Sequence, residues 1–208
     1  MGLPVETYRT GSYLKVIVSI ALGIWVTLLS SCASSGISLF KLIPAEGQIS
    51  TASVHDDQVL LSARYLDAQE RVEYLEEKGY GGLGLGLRQV KLVTFAVTVK
   101  NGSDGKLLID PGSIRLAVGY GPLLSPYNYS HLYMELPTGS DRQGILQDLS
   151  EAVFDRSATL SPGEVKEGLL LFKRPEKVGP DAALIFKRLY IGAEETGAVL
   201  AFKTVDLG

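Results

Sequence analysis

The sequence predicts a mainly β fold, a two-sheet antiparallel β-sandwich that carries one or two short helices. Apolar residues alternate with polar or small ones in two segments between Gln89 and Val118, the period-two pattern of strands with one buried face. About seven strand-like segments, separated by turn signals, follow one another along the chain. With 208 residues, 46% of them hydrophobic, the chain can bury a core without disulfides or metals.

The two strands between Gln89 and Val118 are predicted to form a pair at the centre of the sandwich. In the first strand, Phe95 lies on the apolar face and Thr94 on the opposite face, which we expect to be the solvent side. The sequence N-G-S-D-G from Asn101 supplies the glycines and Asx residues that a reversing chain requires. The alternation resumes after a D-P-G turn, in the second strand of the pair.

The composition argues against several classes of function. The formal net charge is −3, and no run of Lys and Arg gives the basic footprint of a nucleic-acid-binding protein. The only cysteine, Cys32, cannot form an internal disulfide. The two histidines, His55 and His131, lack the spacing of a metal site. We therefore expect no metal, no cofactor and no nucleic-acid partner.

Residues 1–31 are predicted to be a signal peptide. Arg9 and Lys15 make its start weakly basic, and Val16–Leu29 is a run of 14 uncharged residues. This length is typical of the apolar core of a signal peptide and falls short of the roughly 20 residues of a spanning helix. The run ends in the sequence L-S-S-C, whose last residue is Cys32.

The L-S-S-C sequence resembles the lipobox of bacterial lipoproteins. The resemblance implies a thioether-linked diacylglycerol on Cys32, cleavage before it and a further acyl chain on the new amino group. Three acyl chains would hold the protein firmly in a membrane, since about two already give stable anchoring. Residues 32–36 would be the lipidated tether and residues 37–208 the sandwich domain. In bacteria that sort lipoproteins by the residue after the cysteine, Ala33 favours the outer membrane, facing the periplasm.

An uncleaved signal anchor with an incidental cysteine is the alternative. The apolar stretch, extended to Cys32, is about 17 residues long, the lower limit for spanning a bilayer. The position of the only cysteine at the end of the lipobox favours lipidation over this alternative.

The first half of the domain is predicted to contain two strands and a marginal helix. Ile37–Ile43 is a short first strand, and Glu46–Asp57 is a polar loop. Val59–Leu66 alternates as a second strand. Asp67–Lys78 is rich in Glu, Gln and Arg with a thin apolar stripe, which indicates a surface helix or one limb of a polar hairpin. Asp67 would cap the helix and Gly79 would end it.

The stretch Gly79–Gly86 contains a match to G-x-G-x-x-G. A dinucleotide site requires a strand before these glycines and a helix after them. Here a helix-like segment precedes and a strand from Val90 follows. We therefore expect a flexible loop and no nucleotide.

The second half of the domain is predicted to contain one helix and three strands. Gln143–Phe154 has the apolar spacing of a helix, which we expect to lie across one opening of the sandwich. The sequence L-S-P-G-E from Leu160 is a turn. Val165–Lys173 is apolar on both faces, as an interior strand would be. Ala183–Ile191 and Ala198–Val205 are the last two strands.

Five short motifs resemble the immunoglobulin-like domains of bacterial lipoproteins of uncharacterised function. They are V-T-F-A-V-T-V-K-N-G-S from Val93, R-L from Arg115, Y-G-P-L from Tyr120, L-S-P-G-E from Leu160 and G-L-L-L-F from Gly168. The resemblance implies an immunoglobulin-like sandwich and a place in the cell envelope. The motifs are structural, so the resemblance implies no catalytic residue.

A tyrosine-rich run is the candidate interaction surface. Tyr127, Tyr129 and Tyr133 lie close together in the sequence, with His131 among them, and we expect this histidine to be half buried. Tyrosine combines a large contact area with a polar tip, which is why it is enriched at interfaces. The alternative is that these rings pack over the edge of the sandwich.

We expect a protein without enzymatic activity. No G-x-S-x-G motif occurs in the sequence and Cys32 is assigned to lipid, so neither a serine nor a cysteine nucleophile has a signal. The sequence favours a membrane-anchored envelope protein that binds another envelope protein or stabilises a complex. Two alternatives remain, a carrier or sensor for a small hydrophobic or glycan ligand near residues 120–133 and a hydrolase of unrecognised type.

Overall fold

The computed structural model describes residues 40–45, 51–55, 58–136 and 142–207, and for residues 51–55 it describes the backbone alone. The predicted signal peptide, Cys32, the tether and parts of the first predicted strand and loop lie outside the described residues. Within the described part, no helix is long and apolar enough to cross a membrane.

Two antiparallel sheets form the sandwich, with six and four strands among the described residues. The larger sheet contains, in spatial order, β1 (Phe40–Pro44), β10 (Glu194–Asp206), β9 (Asp181–Ile191), β5 (Leu107–Ile109) and β7 (Ala158–Leu160), and β6 (Ile114–Val118) pairs with the other half of β9. The smaller sheet contains β2 (Thr51–His55), β3 (Val59–Leu66), β4 (Leu92–Asn101) and β8 (Val165–Lys173). The predicted antiparallel sandwich is confirmed, and its immunoglobulin-like detail stays a prediction.

A layer of helices covers the outer face of the smaller sheet. Its members in the described part are α1 (Ala68–Glu77), α2 (Gly81–Leu87), α3 (Tyr129–Glu135) and α4 (Arg142–Ala152). The described residues therefore form two hydrophobic cores, one between the sheets and one between the smaller sheet and the helices. The sequence predicted one or two helices and did not predict this second core.

The predicted central pair of strands lies in the core but is divided between the two sheets. β4 lies between β3 and β8, whereas β6 pairs with β9 in the opposite sheet. The short strand β5 and a 3-10 turn at Pro111–Ser113 separate them along the chain. The facing of Phe95 is confirmed, because its ring is fully buried 5.1 Å from that of Phe202, across the sandwich.

The outer face of β4 is not the solvent side that the alternation predicted. Thr94 is fully buried beneath the helical layer. Likewise, β8 is not an interior strand, because it is the last strand of the smaller sheet. It is apolar on both faces because Leu170 and Phe172 enter the core between the sheets, while Leu169 and Leu171 enter the core under the helices.

Two segments predicted to be loops are regular structure. Within Glu46–Asp57 the chain forms β2. The flexible loop predicted for Gly79–Gly86 is wrong, because α2 occupies most of it and buries Leu83 and Leu87. Gly84 permits the close approach of α1 and α2, since a β-carbon there would lie 3.3 Å from the carbonyl oxygen of Val72.

Several local predictions are confirmed. Asp67 caps α1 in a capping box with Glu70, each side chain accepting from the other residue's backbone N–H over 2.9 Å. The turn after Leu160 is present, with Gly163 at a φ of +78°. The helix predicted for Gln143–Phe154 exists as α4, but it lies on the outer face of the smaller sheet, with Leu149 in the second core, and not across an opening.

Candidate functional site: tyrosines on the helical layer

The predicted tyrosine run forms the start of α3 and the segment leading into it. Asn128 caps this helix, its side-chain oxygen accepting from the backbone N–H of His131 over 3.0 Å. Tyr129 and Tyr133 lie one turn apart on the same side of the helix, with ring centroids 6.4 Å apart. Leu132 points the other way and is fully buried in the second core.

Tyr127 is a largely structural residue. Its backbone N–H donates to the carbonyl oxygen of Leu171 over 2.7 Å, which fastens the segment to the edge strand β8. Its ring packs against the second core and lies 5.4 Å from the ring of His131. Burial raises the pKa of the Tyr127 phenol, and the nearby carboxylate of Glu135 raises it further.

Tyr133 is the exposed member of the run. Its side chain is 39% exposed, and the guanidinium of Arg142 lies 4.0 Å above its ring. Arg142 Nη2 also donates to the backbone carbonyl of Tyr133 over 2.8 Å. Such a cation–π contact contributes about 0.5–1 kcal/mol at an exposed site, so the arginine favours this position of the ring over others. The next residue, Met134, is 80% exposed.

We call Tyr129, Tyr133, Met134 and Arg142 the tyrosine surface. The structure brings Tyr129 and Tyr133 together and places Tyr127 with His131 instead. The expectation that His131 is half buried is wrong, since its side chain is exposed. Sequence reasoning missed Met134 and Arg142. A helical reading of residues 129–135 would have indicated that Met134 points away from the buried Leu132, but nothing in the sequence pairs Arg142 with Tyr133.

The helical layer exposes a second large apolar side chain near the same helices. Leu85 of α2 is exposed, although Leu83 and Leu87 of the same helix are buried. The residue after Leu85, Gly86, faces the side chains of Leu136 and Ile145, so this end of α2 adjoins the end of α3 and the start of α4. Exposed apolar contact area on this layer is therefore not confined to the tyrosine surface.

A shallow cleft of about 190 Å³ lies elsewhere, beside β1 and the end of β10. Its lining includes Phe40, Pro180 and Thr204 and none of the tyrosines of the predicted site. Small-molecule sites usually have volumes of about 300–1,000 Å³, so this cleft is small for one. Among the described residues, no group of three or more His, Cys, Asp and Glu is close enough together to hold a metal ion.

The sequence matches no known protein-family profile and no curated protein. Several solved structures, including the following three, resemble the chain. The yjhA protein from Bacillus subtilis is 10% identical, over 65% of this chain and 76% of that one, with a TM-score of 0.37. A candidate lipoprotein from Bacillus subtilis, ycdA, is 15% identical, over 81% of this chain and 37% of that one, with a TM-score of 0.36. A protein of unknown function from Listeria monocytogenes is 15% identical, over 80% of this chain and 89% of that one, with a TM-score of 0.37. At these TM-scores the likenesses carry no argument about the function of this chain.

Proposed function

We propose that this chain is a non-enzymatic lipoprotein of the cell envelope whose domain binds another protein through the tyrosine surface. Lipid on Cys32 anchors it, and the outer membrane, facing the periplasm, is its place. The lipobox supports the anchor, because the only cysteine of the chain stands at the acylated position. The observation that supports the binding role is the exposed pair Tyr133 and Met134, held beside Arg142.

The residue types of the tyrosine surface are those that protein interfaces use. Tyr, Met and Arg are enriched at the cores of interfaces relative to the rest of the protein surface. The contact with Arg142 already favours one position of the Tyr133 ring, which reduces the side-chain entropy that binding would lose. The partner recognised by this chemistry presents apolar side chains to Met134 and a carboxylate to the guanidinium of Arg142.

A photoreactive amino acid at position 134 tests this function in intact cells. The lipidated full-length protein would carry the probe in place of Met134. A matched control would carry it in place of Leu108, which is exposed on the larger sheet. We expect a discrete protein adduct from position 134 and none from position 108. Equal adducts from both positions, or none from position 134, would refute a binding role for this surface.

A further inference from the structure

We infer that one end of the sandwich rests on the lipid bilayer that holds the acyl chains of Cys32. We call it the Phe40 end. It consists of Phe40, Tyr120, Leu123, the loop at residues 175–180 and Leu207. The inference depends on the proposed lipid anchor and adds an orientation and a contact surface to it. The partner of this end is the headgroup and upper acyl region of the membrane.

The strand register brings these segments to one end of the molecule. Phe40, at the start of β1, pairs with Asp206, at the end of β10. The loop at residues 175–180 reaches the same place, since the backbone N–H of Thr204 donates to the carbonyl oxygen of Pro180 over 2.8 Å. Gly119 lies directly against Gly179, so the following residue, Tyr120, also belongs to this end.

The Phe40 end exposes apolar and aromatic side chains. Tyr120 is fully exposed, Leu207 is 60% exposed and Leu123 is 49% exposed. Tyrosine is enriched at membrane interfaces, because its ring sits among the headgroups while its hydroxyl stays in water. Exposed leucines beside it would enter the upper acyl region.

Both ends of the sandwich expose charged groups. The opposite end, formed by the turns between β4 and β5, between β7 and β8, and between β9 and β10, exposes the carboxylates of Asp104, Glu164, Glu194 and Glu195. The Phe40 end exposes Glu176, Lys177, Asp181 and Asp206. Charge therefore does not distinguish the ends. At the Phe40 end the charged groups would stay among the lipid headgroups, while the exposed Tyr120, Leu123 and Leu207 enter the bilayer.

The length of chain between the lipid and the domain favours the same orientation. Eight residue steps separate Cys32 from Phe40, and a chain of that length reaches at most about 28 Å. β10 has 13 residues and is about 40 Å long. Because Phe40 pairs with the last residue of that strand, an inverted domain would hold Phe40 about 40 Å above the bilayer, beyond this reach.

A single tryptophan at position 120 provides the test. The only tryptophan of the chain, Trp25, precedes the proposed cleavage site, so the processed protein has none. Purified lipidated Tyr120→Trp protein would be placed in vesicles of phosphatidylethanolamine and phosphatidylglycerol. Val165→Trp, at an exposed position next to the turn between β7 and β8, is the matched control. Fluorescence would be quenched with aqueous iodide and, separately, with brominated acyl chains.

We expect the emission of Tyr120→Trp to shift to shorter wavelength, to lose iodide quenching and to gain quenching by brominated lipid. The indole of Val165→Trp should stay open to iodide. Vesicle flotation separates the orientation from the anchor. If the protein floats but the indole at position 120 is as open to iodide as the one at position 165, the orientation is refuted and the anchor stands.

Two further outcomes count against the inference. A protein that does not float with the vesicles refutes both the orientation and the anchor. Protection of the indole at position 120 in native membranes but not in pure lipid would assign this end to a protein partner and refute the lipid contact.

Discussion

Arg71 Nη1 donates to the hydroxyl oxygen of Thr94 over 2.9 Å, and both side chains are fully buried between α1 and the smaller sheet. Arg71 Nη2 donates to the backbone carbonyls of Leu87 and Val90 over 2.6 and 3.3 Å. The guanidinium therefore connects α1, the end of α2 and β4 through neutral acceptors. Burial lowers the pKa of Arg71. The group stays charged at neutral pH, as arginine does throughout proteins.

Thr94→Val should destabilise the protein although it preserves the shape of the side chain. The substitution removes the hydroxyl oxygen that accepts from Arg71 Nη1 and leaves this buried, charged donor without its acceptor. Such a loss lowers the free energy of unfolding by about 1–3 kcal/mol. Thr98→Val, at a half-buried position on the same face of β4, is the control and should change the free energy of unfolding by about 0.5 kcal/mol or less. Urea unfolding measures both, and equal midpoints would contradict the role assigned to Arg71.

Tyr65 should make the stability of the domain fall above about pH 10. Burial raises the pKa of the Tyr65 phenol, whose hydroxyl donates to the carbonyl oxygen of Phe40 over 3.2 Å. The folded state therefore keeps this proton at a pH where the unfolded chain has lost it, and stability present below about pH 10 is lost as the pH rises through the folded pKa.

Urea midpoints measured on both sides of about pH 10 check this effect. Tyr65→Phe should lose less stability across that range than the parent protein. Tyr120→Phe, which removes a fully exposed phenol, is the matched control and should follow the parent. Identical slopes for Tyr65→Phe and the parent would mean that Tyr65 is not the responsible group.

Gly179→Ala should disrupt the Phe40 end. A β-carbon at position 179 would lie 2.5 Å from the α-carbon of Gly119, a backbone atom that cannot rotate away. We expect the free energy of unfolding to fall by about 1–3 kcal/mol, the usual cost of overpacking. Gly105→Ala is the control, since its β-carbon would meet Ile191 at an ordinary 3.5 Å. An unchanged thermal midpoint for Gly179→Ala would show that the two backbones are not in contact.

Cys32→Ala should abolish lipidation. The variant should remain an unprocessed precursor and take up no radiolabelled fatty acid, because the acylated thiol is absent. Ser35→Ala, three residues beyond the lipobox, should be labelled like the parent protein. Labelling that persists in Cys32→Ala would exclude the lipoprotein assignment.

The strands were predictable because most of them leave a period-two pattern, as in β3 and β4. Their partners were not, because the pattern identifies a buried face and not what covers it. The outer face of β4 carries Thr94 and the half-buried Ala96, which resembles a solvent-facing side until helices from elsewhere in the chain pack on it. β8 shows the same limit, since apolar residues on both faces do not distinguish an interior strand from an edge strand covered by helices.

Local propensity explains the failed prediction at Gly79–Gly86. Each glycine costs about 1 kcal/mol relative to alanine inside a helix, so a sequence with four glycines in seven residues gives little helical signal. Tertiary packing overrides this cost by burying Leu83 and Leu87. The candidate site was partly predictable, because tyrosine type and spacing indicated a surface, but only the structure separates the exposed Tyr133 from the packed Tyr127.

The effect of Tyr133→Ala on the protein adduct formed by a photoreactive probe at position 134 tests the central claim most directly. Tyr190→Ala, which truncates a half-buried tyrosine of the larger sheet, is the matched control.

Truncating an interface hot spot costs about 2 kcal/mol or more of binding free energy, so we expect Tyr133→Ala to abolish most of the adduct. Its thermal midpoint should fall by no more than about 4 °C, because the contacts that are lost, with Arg142 and with the ring of Tyr129, lie at the surface of the helical layer. Tyr190→Ala should retain the adduct. An undiminished adduct in Tyr133→Ala, or an equal loss in both variants, would contradict the proposal that the tyrosine surface binds the partner.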